Sequence, residues 1–175
     1  MAARVTFRPE RPEDGPVVEA LVDAAFGPGR YAKAAERLRE GNHPLLQLSP
    51  IAWSGDEAVG CVRLWPIAIG QAPGLLLGPI AVANTWRKRG VGEDLVGWAC
   101  EAAQRAGQAV VLLVGDEAYF GRFGFLAAPA RRTIMPGPVD RGRVLARFLR
   151  ADSAGVLDGP VSGGNIRAAA HLPPA

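Results

Sequence analysis

At 175 residues, 49% of them hydrophobic and with a formal net charge of +3, the chain is long enough to fold one domain around a full core. No apolar run approaches the roughly 20 residues of a membrane-spanning helix, so no membrane partner is expected. The opening Met1-Ala2-Ala3-Arg4 runs directly into a strand pattern, so no cleavable leader is expected and the cytoplasm is the expected location. One domain is expected over 1–165, with a Gly, Ala and Pro-rich tail at 166–175 that need not be ordered.

Taken in order, Val5 to Arg8 reads as a first strand. Pro12 followed by Glu13 and Asp14 suits a helix start, where a proline loses no bond and acids meet the positive dipole end. Val17, Leu21, Val22 and Ala25 give that helix a buried stripe, and Gly27-Pro28-Gly29 ends it. A short second helix is predicted over Tyr31 to Glu40, and 41–50 reads as irregular. Ile51 to Ser54 and Ala58 to Ile69, joined by Gly55-Asp56-Glu57, read as a long antiparallel hairpin. Period-two alternation groups Val59, Cys61, Arg63 and Trp65 on one face. Val62, Leu64 and, beyond Pro66, Ile67 fall on the other.

The most informative stretch is Leu75 to Ala106. Leu75, Leu76, Leu77, Ile80, Ala81 and Val82 form a buried strand interrupted by Gly78-Pro79. Proline cannot donate to a sheet ladder and an interior glycine often marks a bulge, so pairing should fail there and leave backbone groups free for an amide-like ligand. Arg87-Lys88-Arg89-Gly90-Val91-Gly92 follows, and Val91, Leu95, Trp98, Ala99 and Ala102 then recur at helical spacing up to a closing Gly107. Free amides and the positive dipole at that helix's start, beside three cations and two glycines, make an anion site. A dinucleotide fingerprint would need a third glycine where Leu95 stands, and a triphosphatase loop would need Lys-Ser or Lys-Thr where Glu93-Asp94 stand. Both are excluded.

What remains, Arg-x-x-Gly-x-Gly after an apolar strand, resembles the acetyl-CoA pyrophosphate loop of the GNAT superfamily of N-acetyltransferases. A second buried strand, Ala109 to Val114, and the segment Gly115-Asp116-Glu117-Ala118-Tyr119-Phe120-Gly121-Arg122-Phe123-Gly124-Phe125 resemble the closing half of the same site. The resemblance covers roughly 75–125 and extends to the opening strand and helix. It implies an α+β (α/β) single-domain fold: a central mixed, largely antiparallel twisted sheet of six to seven strands, splayed or bulged at its central strand and flanked by about four helices. It further implies an N-acetyltransferase using acetyl-CoA as co-substrate and no metal. Pyrophosphate would lie on Arg87, Lys88, Arg89, Gly90, Val91 and Gly92, the pantetheine arm along Ile80, Ala81 and Val82, with Phe120 and Phe123 closing the site. Phe26, Arg30, Tyr31 and His43 become candidates for contact with the acceptor, an unidentified amine. Arg63 or Trp65 could reach the same pocket from the sheet, although packing on the sheet face is the stronger reading for both.

Acetyl transfer sets chemical demands. A lysine-like amine with a pKa near ~10 must shed a proton before attacking, and a thiolate with a pKa near ~8.5 leaves more easily if protonated. Many members of the superfamily carry a tyrosine four residues before the Gly-Phe pair, and this chain has Phe120 there. Tyr119, about a hundred degrees round the helix, does not simply substitute: either the helix is shifted and Tyr119 is the acid, or the thiolate leaves unprotonated near the helix dipole, or acetylation is slow. Asp116 is a candidate base, although a helix cap explains it equally. A base acting through water from Glu57, His43 or Asp116 is a further option, and an acceptor that arrives already neutral needs none.

Cys61 and Cys100 lack metal-ligand spacing, as do His43 and His171, so two reduced thiols and no zinc site are expected. Between Ala118 and Ala151 stand seven arginines, at 122, 131, 132, 141, 143, 147 and 150, against one acid, Asp140. They read as solvated strand faces, or as one arginine meeting an acidic acceptor or the ribose phosphate of CoA. Val144 to Leu149 alternates as a late strand, and a C-terminal strand could pair across a dimer, so monomer and homodimer both stand. Two other functions compete with the transferase: an acyl-CoA-binding protein with little catalysis, suggested by Phe120, and a nucleic-acid binder using the arginine-rich third, although no aromatic interleaving accompanies those arginines.

Overall fold

The computed structural model of the chain describes residues 4–164. The tail expected at 166–175, and His171 within it, lie outside the described residues. In chain order the elements are β1 (Val5–Pro9), α1 (Gly15–Phe26), α2 (Ala34–Arg37), β2 (Pro50–Ser54), β3 (Glu57–Ile69), β4 (Ala72–Val82), α3 (Val91–Arg105), β5 (Val110–Val114), α4 (Glu117–Phe120), β6 (Arg132–Ile134), β7 (Val144–Phe148) and β8 (Asp158–Gly163). The main sheet runs β1-β2-β3-β4-β5-β7, with β8 pairing β3 and β6 within the same chain. All its pairings are antiparallel except β4 with β5 and β6 with β8. This is the mixed, helix-flanked α+β sheet expected, carried to eight strands by the short β6 and β8. No helix among the described residues is long and apolar enough to cross a membrane.

Two sheet irregularities decide which side chains share a face. Ala52 pairs Gly60 and Trp53 pairs Ala58, so Val59 is an extra residue in β3. Val59 therefore joins Val62 and Leu64 in the cluster under α3, whereas Cys61 packs with Val18 and Val22 of α1 on the opposite face. The grouping of Val59 with Cys61 expected from alternation does not hold. Nor does the grouping of Ile67 with Leu64. The strand passes through Pro66 in register, and Ile67 stays in the same cluster as Trp65 and Ile69.

The second irregularity is at Gly78-Pro79. Val62 pairs Ile80 and Leu64 pairs Leu77, so two residues of β4 oppose Arg63 alone. The pleat of β4 slips by one: Leu75 and Leu77 face α3 before the bulge, Ile80 and Val82 after it. Pairing with β3 survives this insertion, but pairing with β5 does not. The parallel ladder consists of Leu75 with Val111 and Leu76 with Leu112, beyond which the two strands part.

The bulge is held from behind. The indole Nε1 of Trp65 donates to the Gly78 carbonyl at 2.6 Å. Arg63 does not reach a pocket: its guanidinium donates to both Glu10 oxygens, at 2.9 and 2.6 Å, and to Glu19 of α1 at 2.6 Å. Glu19 in turn accepts from Arg30 at 2.8 Å, so one chain of charges joins β1, β3, α1 and the turn after α1.

Helix α1 buries Val18 and Val22, while Val17, expected on the stripe, is 38% exposed because the buried line is centred one residue further along. The predicted 31–40 helix is shorter than expected. Pro28–Ala32 forms a 3-10 turn, Lys33 is extended, and only Ala34–Arg37 is α-helical. Helix α3 follows the prediction closely, burying Val91, Leu95, Ala99 and Ala102 together with Val96, Cys100 and Ala103. β5 is apolar throughout because it is covered on both faces, Val111 and Leu113 toward α3 and Val110 and Leu112 away from it.

Arg63→Ala should therefore destabilise the protein by about 3–5 kcal/mol, because it leaves a buried carboxylate at Glu10 without its partner. Urea unfolding followed by tryptophan fluorescence measures this, and a loss below about 1 kcal/mol would show the network to be dispensable.

Candidate active site

Where β4 and β5 part, a cavity of about 540 Å³ opens through the sheet. Leu77 to Ile80 form one wall and Leu113, Val114, Gly115 and Asp116 the other. Tyr119 and Phe120 of α4 close one end. Phe26, Arg30, Lys33 and Arg39, from the end of α1 and the α2 segment, close another, with Val139 and Arg143 from the loop before β7 completing it.

The glycine loop sits at the far end of β4. Gly90, at φ 84°, is the N-cap of α3 in a left-handed conformation that favours glycine, and it contributes no side-chain cap. The first amides of α3 consequently remain open to an external acceptor. Arg87, Lys88 and Arg89 are exposed beside them, Lys88 itself at φ 60° and Arg89 stacked 5.1 Å over Trp86. Val91 differs from its neighbours, since its side chain is buried in the core and only its backbone faces the loop.

Gly92 links the loop to the cleft. A β-carbon there would lie 3.7 Å from the Tyr119 hydroxyl and 3.7 Å from Val82, so Gly92, Val82 and Tyr119 meet at one point of the groove. Phe123 packs against Tyr119 at 6.0 Å between ring centroids, and Phe120 at 4.9 Å edge-on. Arg122 donates to Glu93 of α3 at 2.8 Å, joining the two halves of the groove and offsetting an acid that would otherwise face an incoming anion. The loop therefore suits a diphosphate: it has open amides, nearby cations, a neutralised glutamate and no side chain at Gly92.

Phe120 is fixed by Gly115, where a β-carbon would come within 2.4 Å of the ring. The aromatic side chain therefore occupies space that only a glycine leaves. Among the described residues, Tyr119 carries the only hydroxyl lining the cavity. Burial, and secondarily the nearby Glu93, hold its pKa above the ordinary tyrosine value, with Arg122 opposing, so it remains a proton donor at neutral pH. Asp116 lines the cavity while its Oδ1 accepts from the Ala118 amide at 3.1 Å as the cap of α4, leaving Oδ2 outside that bond.

Of the acceptor-side candidates, Phe26 and Arg30 line the cavity. Tyr31 does not; it stacks on Arg30, whose Nη2 lies 2.7 Å from its hydroxyl oxygen. His43 and Glu57 are exposed and stand outside the lining. Ala81 points into the cluster under α1, so any part it plays is through its backbone. Lys33, Arg39 and Arg143 line the cavity without having been singled out in the sequence; only the excess of arginine after Phe125 hinted at the last. Of the other arginines there, Arg132 pairs with Asp158 and Arg150 with Asp152. Among the described residues no cluster of three or more potential metal ligands occurs.

A mixed sheet opened at a bulged central strand, with an uncapped helix N-terminus at the end of that strand, fits the acetyl-CoA cleft that the GNAT resemblance of the sequence implies. Comparison with known proteins makes the class specific. Residues 49–126 match the family model described as an acetyltransferase (GNAT) domain. The chain is 31% identical over 122 residues to the uncharacterized N-acetyltransferase YhbS of Escherichia coli, covering 68% of this chain and 72% of that one. Among solved structures it is similar to E. coli YhbS in complex with CoA, at a TM-score of 0.77 and 28% identity over 94% of this chain and 92% of the other. It is also similar to a GNAT family acetyltransferase from Brucella melitensis in complex with acetyl-CoA, at a TM-score of 0.60 and 26% identity over 82% and 96% of the two chains. The chain belongs to the GNAT family of N-acetyltransferases.

Gly115→Ala should push Phe120 and α4 out of place. Overpacking of this kind costs about 1–3 kcal/mol, which corresponds to a fall in Tm of several degrees. Differential scanning calorimetry checks it, and a Tm equal to wild type would show that Phe120 is free to move.

Proposed function

We propose that this protein transfers the acetyl group of acetyl-CoA to a primary amine by direct attack within a ternary complex, in the cytoplasm. The observation that carries the reading is an adjacency: Tyr119, which lines the cavity in the split between β4 and β5, brings its hydroxyl to 3.7 Å from where a β-carbon of Gly92 would lie, at the open N-terminus of α3. Support also comes from the relatives with CoA and acetyl-CoA bound.

In this reading the amides of Gly90, Val91 and Gly92, with Arg87, Lys88 and Arg89 nearby, hold the pyrophosphate. The backbone of Ile80, Ala81 and Val82, withdrawn from β5 by the bulge, hydrogen-bonds the amide-rich pantetheine arm. Acetyl-CoA supplies an activated thioester. An amide of β4 polarises its carbonyl, stabilising the negative charge that develops on oxygen during attack. Tyr119 donates a proton to the departing sulfur, a role consistent with its raised pKa and with its place beside Gly92. Phe120 holds Tyr119 edge-on and takes no part in proton transfer. Asp116, the only carboxylate among the described residues that lines the cavity, takes the proton from the amine.

Calorimetry with acetyl-CoA should show binding to wild type and its loss in Gly92→Asp, where a carboxylate enters the groove while a β-carbon makes only ordinary 3.7 Å contacts with Tyr119 and Val82, so the fold persists. Equal affinity in both would reject the loop. Tyr119→Phe should lower kcat by about 100-fold or more with acetyl-CoA affinity retained, and should abolish a fall in rate at high pH as the hydroxyl loses its proton. Asp116→Asn, which caps α4 nearly as well, should leave Tm in place and lower kcat. Unchanged kcat in either variant would remove that residue from the mechanism.

A further inference from the structure

Among the described residues, four cationic side chains, Arg30, Lys33, Arg39 and Arg143, line the acceptor side of the cavity, against one carboxylate, Asp116. They come from three separate segments: the turn after α1, the α2 region and the loop before β7. Arg30 is committed to Glu19 and Asp23, which stand behind it on α1 and do not line the cavity. Arg39 donates through Nη1 to Glu36 at 2.8 Å, while its Nη2 sits against the bulge, 3.0 Å from where a β-carbon of Gly78 would be. Its side chain is only 13% exposed and its Nε, like that of Arg30, is buried without a partner. Neither Lys33 nor Arg143 takes part in an ion pair among the described residues.

This arrangement is costly for a protein whose ligand would be a plain cationic amine. An ammonium group entering the cavity meets three guanidinium groups and a lysine, and the side chains of Arg30 and Arg39 are largely withdrawn from water, at 10% and 13% exposure. Burial, and the neighbouring charge of Arg30, lower the pKa of Arg39 despite its bond to Glu36. Desolvated donors without acceptors cost free energy that a bound anion restores.

Building on the acetyltransferase reading above, we infer that the acceptor is a small primary amine that also carries a carboxylate or a phosphate. Arg39 and Arg143, with Lys33, bind that anion. Arg39, placed at the bulge, holds it near the reacting centre. Arg143, whose Nε donates to the Gly115 carbonyl at 3.4 Å, holds it from the β5 side. Asp116 is then left to accept the proton of the amine. Phe26, over which Lys33 sits at 4.9 Å, supplies an apolar wall for the carbon skeleton between the two groups.

The test measures initial rates with acetyl-CoA for β-alanine against β-alaninamide, 4-aminobutyrate against 4-aminobutyramide, and O-phosphoethanolamine against ethanolamine, with putrescine as a purely cationic amine. At least one acid should exceed its neutral counterpart in kcat/KM by roughly 10- to 100-fold, the range of a hydrogen bond to a charged group. The carboxylate and phosphate arms show which anion fits. Arg143→Gln, at an exposed position, should bring that ratio towards unity through the KM of the acid, with calorimetric affinity for acetyl-CoA kept. Arg39→Gln should do the same where it folds. Neutral amines or putrescine used as well as the acids, or a protein that binds acetyl-CoA yet transfers to none of the acids, would overturn the inference. Absence of acetyl-CoA binding would instead overturn the reading on which it rests, and the inference with it.

Discussion

Two residues of β4 stand where β3 has one, and the architecture of the site follows from that inequality. Gly78 and Pro79 oppose Arg63 alone, which bends β4 and shifts its pleat by one residue. A parallel neighbour cannot follow such a bend, so β5 leaves β4 after two residue pairs and the sheet opens. An unsupported gap through a hydrophobic core would close by collapse. Here it is propped by the Trp65 indole bonded to the Gly78 carbonyl and by a charge network anchored on Arg63.

That network couples scaffold to site. Glu19 accepts from Arg63 on one oxygen and from Arg30 on the other, so the residue that marks the bulge and a residue that lines the cavity share one carboxylate. Both arginines stay charged, because these hydrogen bonds outweigh the burial that opposes their charge. The pocket wall formed by the turn after α1 is thereby tied to the sheet beneath it. On the other side of the cleft, Arg122 to Glu93 and Tyr119 against Gly92 tie α4 to α3. The groove is built from two halves, each cross-braced, meeting over the split.

Much of this was legible from residue order. The apolar strand, the cationic turn, the two glycines and the α3 stripe are contiguous, and each has a local cause, so Leu75 to Gly107 could be read with near-correct bounds. The bulge itself was legible in Gly78-Pro79. Its consequences were not: period-two alternation assumes an unbroken pleat, and the extra residue at Val59 moved that side chain to the face of Val62. The short α2 was overestimated because Lys33 breaks the helix by an extended backbone that its side chain does not announce. Arg63 and Trp65, for which a pocket role and sheet-face packing both stood, serve the scaffold: Trp65 bonds the bulge at Gly78, and Arg63 bonds Glu10 and Glu19.

The sequence by itself determined that a strand is interrupted, that a cationic glycine turn follows it and that an amphipathic helix closes the unit, since strand breaking, turn conformation and helix periodicity are properties of neighbouring residues. Only the tertiary structure decided what surrounds the opening. Phe26, Arg39, Asp116 and Arg143 are far apart in the chain, and their meeting depends on where β5 diverges, how α1 leans on Glu19 and which way the loop before β7 folds. Those are outcomes of long-range packing and of charge pairing such as that of Glu19 on α1 with Arg63 on β3, for which no local pattern of residues codes.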